Sequence, residues 1–316
     1  MLMGKTNHFI AGLSIAVLLV SCQSKPKKPQ VQKKEDPVRL SFLPIKGIRF
    51  YEVKRRFSSG LSFNNMGFQQ VPSWTMEFVS NDSVLVYSPQ RKIMQGFHLL
   101  YDHADVYNFA GEWFRIKKVE KDSMNMQRLS LKGQVIAHDM RSDVRMTFYS
   151  ARYIENILHT TVAALQRPSA ADTVYIKRLI KRADANPTQA VAAFAGTDPV
   201  RFKPLSKAIQ VEKLSTIDKA SGRGEAYDYL YPEYSVVIHK AYKDFDYSFT
   251  AVVDKQGKIH LGKFRNDMPE YYEQRKKVLE GIITIYLKNL LKTTPATTLG
   301  LAHSSEITLD VAGRVK

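Results

Sequence analysis

Apolar and polar positions alternate with a period of two over much of the first half of this chain. Trp74, Met76 and Phe78 are separated by Thr75 and Glu77, Asn81-Asp82 reads as a turn, and Val84 and Val86 follow on one face. Residues 97–101, 106–109 and 112–119 continue the pattern, as do Leu129 with Leu131 and the set Val144, Met146, Phe148. Short strands at such spacing predict an antiparallel sheet over 40–155, closed or half-closed into a barrel.

Further along, the period changes. Over 173–183 Tyr175, Ile176, Leu179 and Ile180 share one face while Lys177, Arg178, Lys181 and Arg182 lie elsewhere, which predicts an amphipathic helix. Arg167-Pro168-Ser169 before it reads as a domain boundary. Asn186-Pro187 has the form of a cap followed by a first-turn proline, and Gly196 that of a stop, so a second helix is expected between them. Asp228, Tyr229, Tyr231 and Glu233 are expected at the surface or a strand edge, and Ser221–Gly224 as a loop. Strands are predicted over 234–241 and 247–253, with a tight turn at Asp254-Lys255-Gln256-Gly257 and a return strand over 258–264. Asp267 then caps a helix whose Leu279, Ile282, Ile283, Tyr286, Leu287, Leu290 and Leu291 fall at steps of three and four. Pro295 ends that helix, and Ile307, Leu309 and Val311 alternate in a last strand. The expected fold class is α+β: a β-rich domain over 40–155, then a small αβ module within 168–316 built from hairpin, helix and final strand.

The start of the chain follows neither period. Lys5 supplies a cationic head, residues 9–20 are apolar, and small Ser21 precedes Cys22, the single cysteine of 316 residues. That order predicts an export signal over 1–21. A run of about 12 residues is short for a membrane span, which needs roughly 20. Leu19-Val20-Ser21-Cys22 resembles the lipobox of bacterial lipoproteins. The resemblance implies cleavage between Ser21 and Cys22, lipidation of the Cys22 thiol, and a mature chain that starts there. Residues 22–39 carry Pro26, Pro29 and Pro37, with Lys25, Lys27, Lys28, Lys33, Lys34 and Arg39 against Glu35 and Asp36. Such a segment predicts an extended, basic tether. In lipoproteins generally, Gln23 in place of an aspartate and a basic rather than acidic tether favour the periplasmic face of the outer membrane.

Two weaker resemblances follow from motifs. Val253-Asp254-Lys255-Gln256-Gly257-Lys258-Ile259, then a helix, Pro295-Ala296, Gly300 and a last strand, resembles the C-terminal domain of TonB-like proteins over 245–312. It implies a module that contacts another protein, often by strand pairing at an exposed edge. That edge is expected beside residues 307–311. The transmembrane anchor and long proline spacer of energy-transducing TonB have no counterpart, so proton-gradient transduction is not implied. The order "WTMEFVSNDSVLVY", "EWFRIKKVEKDSMNMQRLSLKG", "RMTFY" resembles small lipocalin-like barrels of bacterial lipoproteins, which implies an enclosed apolar ligand. Trp74 and Trp113 read as core fillers.

Composition adds one extreme, a formal charge of +17. For an exported chain this points to anionic lipid, acidic glycan or an acidic protein partner rather than nucleic acid. With Cys22 committed to lipid, neither a disulfide nor a thiolate metal site is expected. The eight histidines are scattered, and His-Glu-x-x-His, Gly-x-Ser-x-Gly and phosphate-loop sequences are missing. Tyr101-Asp102-His103 and His138-Asp139 place an acid next to a histidine, but strand neighbours point to opposite faces, so neither reads as a relay. No catalytic residue, metal or cofactor is expected. The reading is a lipid-anchored, periplasm-facing envelope protein that binds or scaffolds a protein partner without catalysis. A lipocalin-like carrier of a lipid or other apolar ligand is the alternative, and an unrecognised envelope hydrolase the second. Replacing Cys22→Ala is expected to move the chain from the membrane pellet to the soluble fraction and to abolish incorporation of a labelled fatty acid.

Overall fold

The computed structural model describes residues 39–315 apart from 134, 137–141, 218–223 and 265–268. Ser21, Cys22, the tether up to residue 38, His138-Asp139, residues 221–223 and Asp267 lie outside the described residues. The fold is α+β and mostly antiparallel β.

The period-two region forms β1 (Arg49–Arg56), β2 (Thr75–Phe78), β3 (Ser83–Ser88), β4 (Ile93–His98), β5 (Leu100–His103), β6 (Val106–Phe109), β7 (Glu112–Val119) and β8 (Ser123–Leu129). After a small hairpin of β9 (Leu131–Lys132) and β10 (Val135–Ile136), β11 (Val144–Ser150) returns between β8 and β1. The result is a nine-stranded antiparallel sheet with β4 and β5 at its two edges. Those strands follow one another with Leu99 alone between them, so one bent strand serves both edges and the barrel is nearly closed. The bend is held from inside, because Leu99 is buried and its N–H donates to the Asp82 carbonyl at 2.9 Å.

The barrel interior is filled by its own side chains. Phe50, Met76, Phe78, Tyr107, Phe109, Phe114, Met124, Met126, Met146 and Phe148 are each at most 1 % exposed. Residues so fully covered border no space wide enough for water, let alone a ligand. Phe42, just before a 3₁₀ turn (Leu43–Ile45), stacks on Phe78 at 4.4 Å and meets Tyr107 edge-on at 5.4 Å. One charged pair is buried here. Glu52 is fully covered, grips Arg55 through two contacts of 2.7 and 2.6 Å, and accepts the N–H groups of Ser73 and Trp74 at 2.8 and 3.0 Å. It sits where the register of β1 against β11 shifts between Glu52 and Lys54. Trp74 packs edge-on against Phe109 and Phe114 as expected of a core filler, whereas Trp113 does not fill the core. It pairs with Leu129 on the outer face and is half-buried, because the alternation set by Phe114 turns its neighbours outward.

Beyond the barrel, a π-helical turn (Tyr153–Ile157) and α1 (Val162–Leu165) lead to α2 (Ala170–Ala185), which is longer at both ends than predicted. The sequence 167–169, read as a boundary, includes the cap that starts α2. Ser169 and Asp172 form a reciprocal capping box. Asp172 is also fully buried, and it accepts the Ser62 N–H at 2.7 Å and Arg56 Nη1 at 3.2 Å. Burial pushes its carboxyl up, but the Ser62 and Ser169 donors and Arg56 outweigh that and hold it below the usual range.

The helix expected after Asn186 does not form. Asn186 is instead the C-cap of α2, and residues 187–196 contain no helix. Tertiary contacts override the local signal. Phe194 stacks on His303 at 3.7 Å, and the Ala195 N–H donates to the Met66 carbonyl at 2.9 Å. Gly196 passes so close to Ala296 that an added Cβ would lie 2.7 Å from its methyl. Asp228 and Tyr229 lie in α3 (Glu225–Leu230), a helix where a strand edge or open surface was expected.

A second sheet of five strands has the order β13 (Ile209–Lys213), β14 (Glu233–His239), β20 (Ser305–Arg314), β15 (Phe245–Val253), β16 (Ile259–Phe264). β13 carries no strong alternation signal and was not read from the sequence, nor was β12 (Arg201–Pro204). α4 (Tyr272–Gly281), a π-helical segment (Ile282–Leu287) and α5 (Lys288–Leu290) bury Leu279, Ile282, Ile283 and Leu287 on this sheet. The helix ends at Leu290, short of Pro295, because residues 291–294 leave it as β17 (Leu291–Thr294) to pair with β12. β18 (Ala296–Thr298) and β19 (Leu301–His303) form a hairpin that feeds β20. The last strand is central rather than at an edge, parallel to β14 on one side and antiparallel to β15 on the other. The open edge expected beside residues 307–311 is therefore taken up within the chain.

His303 is fully buried. Its Nδ1 donates to the Ser304 carbonyl at 3.1 Å, which leaves Nε2 to accept from the Thr298 hydroxyl at 2.9 Å, so the ring is neutral. Burial pushes it down to about 4, against the opposing influence of the Ser304 carbonyl and Asp184.

Two predictions follow from these buried groups. Asp172→Ala leaves Arg56 and the Ser62 N–H without their acceptor and is expected to lower stability by about 3–5 kcal/mol in urea unfolding. His303 has a folded value below its ordinary 6.5, so the unfolded chain takes up the proton first. Its contribution is complete above pH 6.5 and falls by about 3 kcal/mol as the pH drops to 4. Unfolding midpoints measured across that window should slope for the native chain, and the slope should flatten in His303→Gln.

Candidate functional site

The outermost strand of the second sheet, β16, has no strand partner on its outer side among the described residues. Its position is set by the turn before it. The Asp254 carboxylate accepts the N–H groups of Gln256 and Lys258 at 2.9 Å each with one oxygen, and contacts His260 Nε2 at 2.8 Å with the other. Burial pushes the Asp254 carboxyl up, yet His260 and the two backbone donors hold it below the usual range. Gly257 takes φ +80°, a region that favours glycine, and an added Cβ there would also lie 2.7 Å from the Thr293 carbonyl.

This turn fixes which backbone groups face outward. The Asp254 N–H donates to the Lys258 carbonyl at 3.0 Å, and the pairs that follow are Val253 with Ile259, Val252 with His260 and Ala251 with Leu261. Bonded and non-bonded pairs alternate in an antiparallel ladder, so His260 bonds inward while the N–H and C=O groups of Ile259 and Leu261 point away from β15. Beyond Leu261 the strand bulges, with Gly262 and Lys263 both facing Thr250. Glycine is required there, since a Cβ would lie 2.5 Å from the Thr250 hydroxyl, which instead accepts the Lys263 N–H at 2.9 Å.

A groove of about 580 Å³ runs between this edge and the helix. Ile259, Leu261 and Phe264 line it from the strand, and Tyr272, Ile283 and Thr284 from the helical side. Tyr272 stacks on Phe264 at 4.8 Å and closes one end. Lys258, His260, Lys276 and Glu280 supply the polar rim. Chemically, outward ladder groups beside a groove are what main-chain recognition of an extended segment requires.

None of the residues singled out for lipidation or cleavage falls among the described ones. Asp102 and His103, expected to point apart, are in contact through Oδ2 and Nδ1. The register of β5 against β6 shifts between Tyr101 and His103, which breaks the alternation that would have separated them. Both are exposed, and they form a surface contact. The Asp254–His260 pair was missed in the sequence; its signal is an acid at the first position of a predicted turn and a histidine six residues on, across the hairpin. Among the described residues no three His, Cys, Asp or Glu side chains converge as a metal site needs, and no helix is long and apolar enough to cross a membrane. No protein-family model matches this chain, and no curated protein is detectably similar to it.

Proposed function

We propose that this chain is a lipid-anchored, periplasm-facing envelope protein that holds a partner protein by strand addition at β16, without catalysis. The observation that carries this reading is the outward-facing Ile259 and Leu261 backbone beside a preformed groove. An extended segment of the partner would continue the sheet, and its alternate side chains would enter the groove. The basic tether of residues 22–39 gives the anchored domain a reach of about 50 Å from the lipid surface when extended. Its lysines would add attraction to anionic head groups or glycan. A carrier with its ligand inside the barrel is less well supported, because aromatic and methionine side chains occupy that interior.

The proposal predicts a specific loss. The Leu261 N–H faces away from β15, so Leu261→Pro removes an outward donor without breaking the hairpin ladder. A photo-crosslinker at Lys263, used in the native envelope, should trap one stoichiometric partner with the wild-type chain. Trapping should fall at least tenfold with Leu261→Pro while the unfolding midpoint stays within a few degrees. Undiminished trapping by the variant, or no trapped protein with either chain, would reject the docking edge.

A further inference from the structure

A second concavity lies on the other sheet, outside the barrel. It is a cleft of about 1200 Å³ between the outer face of β7 and β8, the loop after β1 and helix α2. Three features set it apart from an ordinary surface furrow. Its walls are mainly apolar, and two of the side chains there are left in water: Val135 is 70 % exposed and Met66 46 %. Exposed apolar groups gathered around one concavity are the usual mark of a ligand or partner site.

The loop wall is also rigid. Ser62 is held by Asp172, the Asn64 side chain accepts the N–H groups of Met66 and Phe68 at 3.0 Å each, and the Met66 carbonyl accepts from Ala195. Gly67 takes φ +89°, and any Cβ there would lie 2.0 Å from the Ala195 carbonyl oxygen. The loop wall of the cleft is thus held in place by hydrogen bonds and a close backbone contact.

Finally, its lining holds a cation with no carboxylate partner among the described residues. Arg178, on α2, lies over the Tyr175 ring at 5.1 Å and pairs with no carboxylate among the described residues. Arg115, on β7, holds Asp105 by a single 3.2 Å contact through Nε. The carboxylate of Asp143, also in the wall, accepts the Ser58 N–H at 3.1 Å. Lys177, Lys181 and Arg182, elsewhere on α2, are exposed and have no ion-pair partner among the described residues. Apolar walls beside the Arg178 guanidinium complement a small molecule with an apolar body and one anionic end.

We infer that this cleft binds a single acyl chain bearing an anionic head group, with the chain along Leu129 and Val135 and the head at Arg178. The site is separate from the β16 edge, so either can fail without the other. The test is fluorescence titration of the Cys22→Ala chain, purified without detergent, with cis-parinarate and with its uncharged methyl ester. Saturable one-to-one binding of the acid is expected at micromolar concentration, with the ester at least fivefold weaker. Arg178→Glu, an exposed change that leaves folding intact, should weaken the acid at least fivefold, Val135→Asp should weaken both probes, and Arg178→Lys should restore most of the affinity. Displacement by oleate would point to a carboxylate head, and displacement by lysophosphatidic acid to a phosphate; either supports the site. The inference is overturned if neither probe saturates, if acid and ester bind equally, or if Arg178→Glu leaves the acid's affinity unchanged.

Discussion

The buried carboxylate of Asp172 is the contact on which the arrangement around the barrel depends. It caps α2 through Ser169, takes the N–H of Ser62 from the loop after β1, and pairs with Arg56 at the end of β1. A charge taken out of water at this depth is tolerated because both of its oxygens are met by donors. One side chain therefore ties a helix to a strand and a loop more than a hundred residues earlier in the chain. The same loop meets the C-terminal half through the Met66 carbonyl and through the Tyr229 hydroxyl, which accepts the Gln69 N–H at 3.0 Å. The outer cleft lies beside this contact, which ties its loop wall to its helix wall.

The two sheets solve the problem of open edges differently. The first bends one strand at Leu99 so that its two halves complete opposite edges, which leaves little free ladder. The second places its longest strand, β20, at the centre, where every second residue from Ser305 to Gly313 is buried. Among the described residues its own edges stay open at β13 and β16. The bulge at Gly262 limits free pairing on β16 to a short run, long enough for one extended peptide segment and too short for indefinite stacking.

Much of the fold was legible because solvent imposes a period on any element with one wet face. The alternation in β2, β3, β7, β8 and β20, the apolar steps in α4, and the turn at Asp254–Gly257 all carried that imprint. The proposed docking edge was legible only in part. The hairpin could be read, but the outward direction of Ile259 and Leu261 depends on ladder phase, and the helix wall on packing. The expected edge beside residues 307–311 was misplaced, because strand order across a sheet leaves no mark on any one strand. Asp102 and His103 were misjudged for a related reason: a register shift cancels alternation without changing composition.

By itself, then, the sequence carried the export signal resemblance at Cys22, and it determined the α+β class, most of the barrel's strands (β1 was not read) and the hairpin-helix-strand order at the end. Each is a local property, written in neighbouring residues through hydrophobic period, turn chemistry or a processing motif. Tertiary structure alone decided which strand lies at an edge, that the barrel interior is filled, that 187–196 is not helical, and that Arg178 faces an apolar cleft. Those outcomes come from contacts between distant residues, where one buried carboxylate or one close glycine contact outweighs the weak preference of a short segment.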